Sequence, residues 1–430
     1  MRRSLAGSFD SKEPCVLPPH KPLRIALVCL HTSPSADPGA GDAGGMNVVV
    51  RHQAEALAAL GHDVSILTRR SADHQPASMQ LAPGVTLEFL DAGPAVALAK
   101  GEHELWIAEF SARLAARPAW DIIHSHHWFS GMAALPVARQ WGIPHVQSFH
   151  SIAADDSTPL SAGERAESPG RIPGEAWLAR ESDALVAIST AEATTITGRL
   201  GGTVQRTAVV LPGVDNAMFS PAKPAEPGDR TMPADGRGYV LIAARLQPLK
   251  GLDLAIAAVA AVPAGLRPAL VIAGAASADY DGHVDELRAL ADRVGLTDQL
   301  RLLGPQSRVD LAALFRGARL VLVPSHSETY GLVALEAAAS GVPVVAAASG
   351  GLREAVIDGV TGLVLEAREP LVWADAIVSV LNDPQRARSL AVAAREHALR
   401  LDWDRSAASL LGVYRGLLDR ATGRAHAERP

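Results

Sequence analysis

The sequence predicts an α/β protein built as two doubly wound, parallel-sheet domains facing each other across a cleft. Short, continuous apolar runs recur along the chain, and each is followed by a stretch of helical periodicity; this is how buried parallel strands and their crossover helices read. The rhythm breaks once, at a segment rich in Pro, Gly and charge (216–237), and then restarts. The length, 430 residues, suits two or three units of about 150 residues each.

Taken in order, residues 1–21 are polar and aperiodic and read as a flexible leader. RIALVCL (24–30) is the first strand. MNVVVRHQAEALAALG supplies a helix closed by Gly61 in a helix-ending position, and DVSILTR (63–69) completes a βαβ unit. DIIHSHH (121–127), HVQSFH (145–150), ALVAIST (184–190) and TAVVLPG (207–213) continue the first domain, 22–215. After the 216–237 linker come YVLIAARL, PALVIAG, LRLLG, ARLVLVPS, VPVVAAA and GLVL, which make a second domain of 238–403. A last helix, 404–422, is expected to return to the first domain. Ligands of such folds sit at the carboxyl edges of the strands.

Composition narrows the function. A formal net charge of −6 and 4% aromatic residues give neither the basic footprint nor the stacking platforms of a nucleic-acid binder. The two cysteines, Cys15 and Cys29, indicate neither a disulfide framework nor a zinc site. SLAGSFDSKEP is too polar for a signal peptide, and LAIAAVAAV before Pro263 is too short to span a bilayer. The expectation is a cytoplasmic protein without a membrane span; a homodimer is compatible with the sequence.

The chemistry concentrates in PSHSETYGLVALEAAASGVPVVA (324–346). A strand ends at Pro324, a loop carries Glu328, and a helix begins near Tyr330. The amides of Gly331 and Leu332 at that helix start form an anion site. Glu336 stands about five residues farther on, roughly 7 Å along the axis, a suitable step from a diphosphate to ribose hydroxyls. Glu328 can take the sugar on the other side. The competing view, two solvated glutamates, fits poorly with Glu336 inside LVALEAAAS. AARLQPLKG (243–251) adds Arg245 at a strand end and Lys250 in the next loop, fixed cations for a departing nucleoside diphosphate.

HTSPSADPGAGDAGGMN (31–47) formally contains G-x-G-x-x-G at Gly39, Gly41 and Gly44, but eight residues separate Leu30 from Gly39. A dinucleotide fingerprint needs a tight turn there, which disfavours an NAD-dependent oxidoreductase. The loop reads instead as a glycine cap over the cleft, with Gly44 and Gly45 letting backbone approach a diphosphate. His124, His126, His127 and His150 look like a metal cluster, yet alternation along a strand separates neighbours; no metal site is expected. His150 is the better candidate for contact with a transferred sugar. Asp402–Trp403–Asp404 precedes a helix, where Asp is a preferred cap rather than a metal ligand.

Over about 24–420 these motifs resemble the family 4 retaining glycosyltransferases of GT-B fold, two Rossmann-like domains across a cleft. HTSP with PGAGDAGGMNV, HSHHWFSG and RLQPLKG are similar to a narrower group within it, which transfers N-acetylglucosamine from UDP-GlcNAc to D-inositol 3-phosphate in mycothiol biosynthesis. The resemblance implies donor contacts from Gly45, Arg245, Lys250, Gln306, Glu328 and Glu336, and the glycine loop and helix start add Asp42, Gly44, Tyr330, Gly331 and Leu332 to the expected donor site. It implies acceptor contacts from His31, Asn47, Lys100, His127, Ser151 and Arg171. His150, Arg245, Lys250 and Glu328 would stand at the reacting centre, with no metal and no cofactor beyond the nucleotide-sugar substrate. The chain departs from that group at His127 and Val49, where Tyr is usual, and at Ser151, where Thr is usual. Another phosphorylated, lipid or polysaccharide acceptor stays open, as does, on the same fold, a nucleotide-sugar epimerase.

Overall fold

The computed structural model describes residues 21–36, 44–154, 168–222, 238–276, 280 and 282–427. The first domain runs β1 (Arg24–Cys29), α1 (Gly45–Ala59), β2 (Asp63–Arg69), β3 (Ser78–Ala82), β4 (Val85–Leu90), α2 (Ile107–Ala115), β5 (Ile122–His126), α3 (Trp128–Trp141), β6 (His145–Ser148), α4 (Arg171–Glu181), β7 (Ala184–Ala187), α5 (Thr190–Gly198) and β8 (Thr207–Val209). The second runs β9 (Tyr239–Ala243), α6 (Leu252–Ala261), β10 (Ala269–Ala273), α7 (His283–Arg293), β11 (Leu300–Gly304), α8 (Arg308–Gly317), β12 (Leu320–Val323), α9 (Leu332–Ala339), β13 (Val344–Ala347), α10 (Leu352–Ala355), β14 (Gly362–Leu365), α11 (Pro370–Leu381) and α12 (Pro384–Ala398), before α13 (Trp403–Ala427).

The strands make two sheets, ordered β3-β4-β2-β1-β5-β6-β7-β8 and β11-β10-β9-β12-β13-β14. All pairings are parallel except β3 with β4. Strand order reverses between β1 and β5 in one sheet and between β9 and β12 in the other. Those reversals open crevices at the strand ends, where ligands of open α/β sheets bind. Each sheet is covered on both faces by apolar clusters, so its strands are buried as continuous runs.

Every run read as a strand is one. The pattern does not announce β3 or β4: β3 is a largely exposed edge strand, and its partner β4 alternates instead of forming a continuous run. Two strands end earlier than the runs 121–127 and 145–150. His127 and His150 adopt left-handed φ values of 71° and 59°, turning the chain away from the sheet. They are the only two non-glycine residues with positive φ among those described, a costly conformation that surrounding structure must hold.

The linker needs correction at its start. Residues 223–237, like 1–20, lie outside the described residues, but Phe219 is fully buried in the second domain's core. Arg395 clamps this segment, donating from Nη1 to Asn216 Oδ1 and to the carbonyls of Phe219 and Ala339. An aromatic side chain with a large apolar area to bury outweighs the neighbouring prolines. α13 packs on α1 and enters the first domain's core through Leu410, Leu411 and Tyr414. Asp402 Oδ1 accepts the Arg405 amide at 2.7 Å, the capping bond expected of that motif. Among the described residues no helix is long and apolar enough to cross a membrane.

Candidate active site

On the second-domain side, Lys250 and Glu328 meet: Lys250 Nζ donates to Glu328 Oε2 at 2.7 Å. Their loops are tied by the His326 amide, which donates to Leu249 O at 2.8 Å. Gly251 closes the Lys250 turn with φ 64°, and a Cβ there would lie 2.2 Å from Pro324 O. The Glu328 loop is held from below by Gly350 and Gly351. Cβ atoms at those positions would approach the carbonyls of Glu328 and Thr329 to 2.2 Å, so only glycine lets the backbones touch. Periodicity does not single out this pair; its signal in the sequence is the SGG after VVAAA.

Gly331, with φ 107°, is the cap of α9 and sets that helix's N-terminus at the loop's end. One turn in, Glu336 is 4% exposed and its Oε1 accepts from Arg308 Nη1 at 2.6 Å. Arg308 lies with its guanidinium 4.6 Å above the Phe219 ring. Arg245 follows β9 at the same sheet edge. Gln306 folds back on its own turn, donating to Leu303 O at 3.0 Å. Tyr330, expected among the donor contacts, is instead 2% exposed in the apolar core, where its ring anchors the loop. Asp42 lies outside the described residues.

The glycine cap comes from the other domain. Gly44 caps α1 in extended conformation, and a Cβ on Gly45 would sit 3.3 Å from Leu332 Cδ1. The N-termini of α1 and α9 thus converge across the cleft. Each presents amides without intrahelical partners and the positive end of a macrodipole, which makes the gap between them an anion site. Asn47, expected to touch the acceptor, spends its amide on the cap: Nδ2 donates to Thr32 Oγ1 at 2.9 Å and to Ser33 O at 2.7 Å.

Behind the cap, His31, Lys100, His127, Ser151 and Arg171 lie near one another. His31 and His127 have ring centroids 4.3 Å apart. Arg171 Nη2 donates to Ser151 Oγ at 3.1 Å, and Arg171 Nε to Glu175 Oε1 at 2.8 Å, both partners of the ion pair being almost fully buried. Lys100 heads a short 3-10 helix, Lys100–Trp106. Two residues that no sequence motif marks join them. His103 lies on that same turn, 6.0 Å from His31. Arg69, 3% exposed at the end of β2, donates to the carbonyls of Arg70, Pro94 and Val96 and so fixes the segment leading to Lys100.

Burial holds this histidine group neutral. The ring of His127 titrates well below the usual histidine range through desolvation and then through His31, Lys100 and Arg171. Burial likewise pushes His150 down to about 3. His150 Nε2 bonds His126 Nδ1 at 2.8 Å, and its carbonyl accepts from Thr329 Oγ1 at 2.7 Å, a bond between domains. His124 can be assigned a tautomer. Ser148 Oγ donates to Val186 O, so it must accept from His124 Nε2 at 2.9 Å; Nδ1 is then bare and accepts from Tyr414 on α13. A second link between domains runs from Glu354 on α10, which accepts the Thr190 and Ala191 amides at the start of α5.

Comparison with known proteins bears on family and fold. The profile of a family described as "Family 4 Glycosyltransferase in conflict systems" matches residues 35–410. A D-inositol 3-phosphate glycosyltransferase of Xylanimonas cellulosilytica is 39% identical over 404 residues, covering 91% of this chain and 96% of the relative. The Mycobacterium bovis protein of the same name is 40% identical over 423 residues, covering 95% and 85%. Among solved structures, sucrose-phosphate synthase from Thermosynechococcus elongatus superposes with a TM-score of 0.83 at 27% identity, over 93% of this chain and all of that one. Anabaena HepE, solved with UDP and glucose, shares the fold at TM-score 0.71 and 20% identity, over 92% of this chain and all of HepE.

Proposed function

The chain belongs to the family 4 glycosyltransferases, with the GT-B fold, and on that premise we propose that it transfers N-acetylglucosamine from UDP-GlcNAc to 1D-myo-inositol 3-phosphate. We further propose that transfer proceeds with retention at the anomeric carbon and without a metal ion. One observation carries the reading: two helix N-termini from opposite domains converge at Gly45 and Leu332, with the Lys250–Glu328 pair beside them and a cationic cluster rich in histidine behind.

In this reading the diphosphate lies between α1 and α9. The amides of Gly45, Gly331 and Leu332 and the cations of Arg245 and Lys250 neutralise charge as the glycosidic bond to the diphosphate breaks. Lys250 answers to both the diphosphate and Glu328, so the pair also fixes Glu328 for sugar hydroxyls. Glu336, oriented by Arg308, accepts the ribose hydroxyls. His150 lines the sugar side, held in its left-handed turn by Thr329 and His126. The acceptor hydroxyl approaches from the first-domain pocket, and its proton passes to the departing diphosphate on the same face. No protein nucleophile is needed.

The likeness to sucrose-phosphate synthase favours one second reading, a phosphorylated sugar as acceptor. The test is a matrix of UDP-sugars and acceptors, including inositol 3-phosphate, free inositol and hexose phosphates, with product linkage read by NMR. Transfer to inositol 3-phosphate and not to inositol is expected. Use of free inositol as well as inositol 3-phosphate rejects the phosphate-directed acceptor; use of neither, with transfer to a hexose phosphate, favours the second reading.

A further inference from the structure

The first-domain cluster holds more imidazole than recognition of a phosphate by Lys100 and Arg171 requires. His31, His103 and His127 come from three elements, and the Phe129 ring borders all of them at centroid distances of 5.6, 6.0 and 4.9 Å. His127 is 2% exposed, and neither of its ring nitrogens has a hydrogen-bond partner among the described residues; the Nδ1 atoms of His31 and His103 have none either. Buried polar atoms are almost always satisfied, so four such atoms around one pocket point to a ligand.

The groups that face His127 set how it responds to that ligand. His31 faces it from the end of β1, Lys100 from the 3-10 helix, Arg171 from α4 and His150 from beyond β6. Arg171 is matched by Glu175, Glu104 sits beside Gly170 at the head of α4, and Arg69 faces His103 from β2. In the absence of ligand, burial and these cations keep the rings neutral. A doubly charged phosphate in hydrogen-bond reach reverses the electrostatic part and adds a charge-assisted bond, which favours imidazolium.

We propose that the cage of His127, His31 and His103 takes up a proton from solvent as a dianionic phosphomonoester enters. The proton goes to a ring nitrogen; no covalent bond to phosphorus forms. This rests on the reading that the pocket holds the phosphorylated end of the acceptor. It gives the substitution of histidine for the usual tyrosine a consequence: a titratable donor stands where a phenol does not titrate near neutrality.

Calorimetric titration of the full-length protein, saturated with UDP, tests it at pH 7.5 in two phosphate-free buffers of different ionisation enthalpy. Inositol 3-phosphate and inorganic phosphate are the probes. A phosphomonoester's second pKa is about 6, so free inositol 3-phosphate is already dianionic and its uptake reports the protein, whereas uptake with inorganic phosphate is read after subtracting the proton that its own monoanion releases. About one proton taken up per ligand bound is expected, with affinity falling about tenfold per pH unit between the free-state and bound-state pKa and levelling off above the bound-state pKa. His127→Gln, which keeps a donor and an acceptor but cannot titrate, should lose most of the uptake; His127→Tyr serves the same comparison if the Gln variant does not fold. Binding whose heat is independent of buffer overturns the proposal, as does undiminished uptake in the His127 variant. Uptake with inorganic phosphate alone upholds the cage and removes inositol phosphate as acceptor. Failure of both probes to bind removes both readings.

Discussion

Arg308 Nη1 donates to Glu336 Oε1 at 2.6 Å while its guanidinium lies 4.6 Å above the ring of Phe219. A carboxylate assigned from sequence to the ribose is thus aimed by an arginine on α8, which in turn rests on a residue from the segment between the domains. Glu336→Ala should weaken UDP binding by about 1.5–3 kcal/mol, the scale of hydrogen bonds to a charged group. Arg308→Met should weaken it less, and the double variant should fall short of the sum, because the two residues act as one unit. Calorimetry with UDP checks this; an additive cycle, or Glu336→Ala binding UDP as tightly as the parent, defeats the assignment.

The anion site needs no metal if helix ends and cations neutralise the diphosphate. Transfer is therefore expected to persist at full rate in excess EDTA. Activity lost on chelation and restored by manganese would reject metal independence. Asp402 would be a poor suspect even then, since its carboxylate is occupied by the Arg405 amide.

At the acceptor pocket, Lys100→Ala should raise the acceptor KM at least tenfold through loss of a charge-assisted bond, leaving donor hydrolysis nearly unchanged. Arg171→Ala should raise KM as much, but it also strands the buried carboxylate of Glu175. Pairing it with Glu175→Gln should recover stability without recovering KM. An unchanged acceptor KM in Lys100→Ala would place the phosphate elsewhere.

Buried neutral histidines make stability depend on pH in one direction. His103 titrates at about 4, and His145 and His150 at about 3, each lowered chiefly by burial from an ordinary value of 6.5. A depressed folded value means the contribution is whole above 6.5 and is lost as pH falls towards 3–4. Urea midpoints should therefore drop markedly between pH 7.5 and 5, and His145→Asn should flatten that slope in part. His145 is the informative choice because it lies off the pocket, between Ser125 and Ser182. A midpoint constant over this range contradicts the buried, neutral state.

Much of this protein was legible in its sequence because buried parallel strands impose continuous apolar runs, and glycines at close approaches cannot be replaced. β1, β2 and β9 to β14, the Lys250 and Glu328 loops and the Gly44–Gly45 cap all follow from such local constraints. The identities of His31, Lys100, His127, Ser151 and Arg171 were visible as well, but only through resemblance, since nothing local makes them neighbours. Tertiary structure alone decided the rest. It brought Arg308 to Glu336 across 28 positions, Thr329 to His150 across 179, and Tyr414 to His124 across 290. It also drew Phe219 out of an apparent linker into a core and left the nitrogens of His127 without a partner among the described residues. Hydrophobic periodicity records only which face of an element is buried; which polar atoms meet there depends on how the two sheets and α13 close on one another.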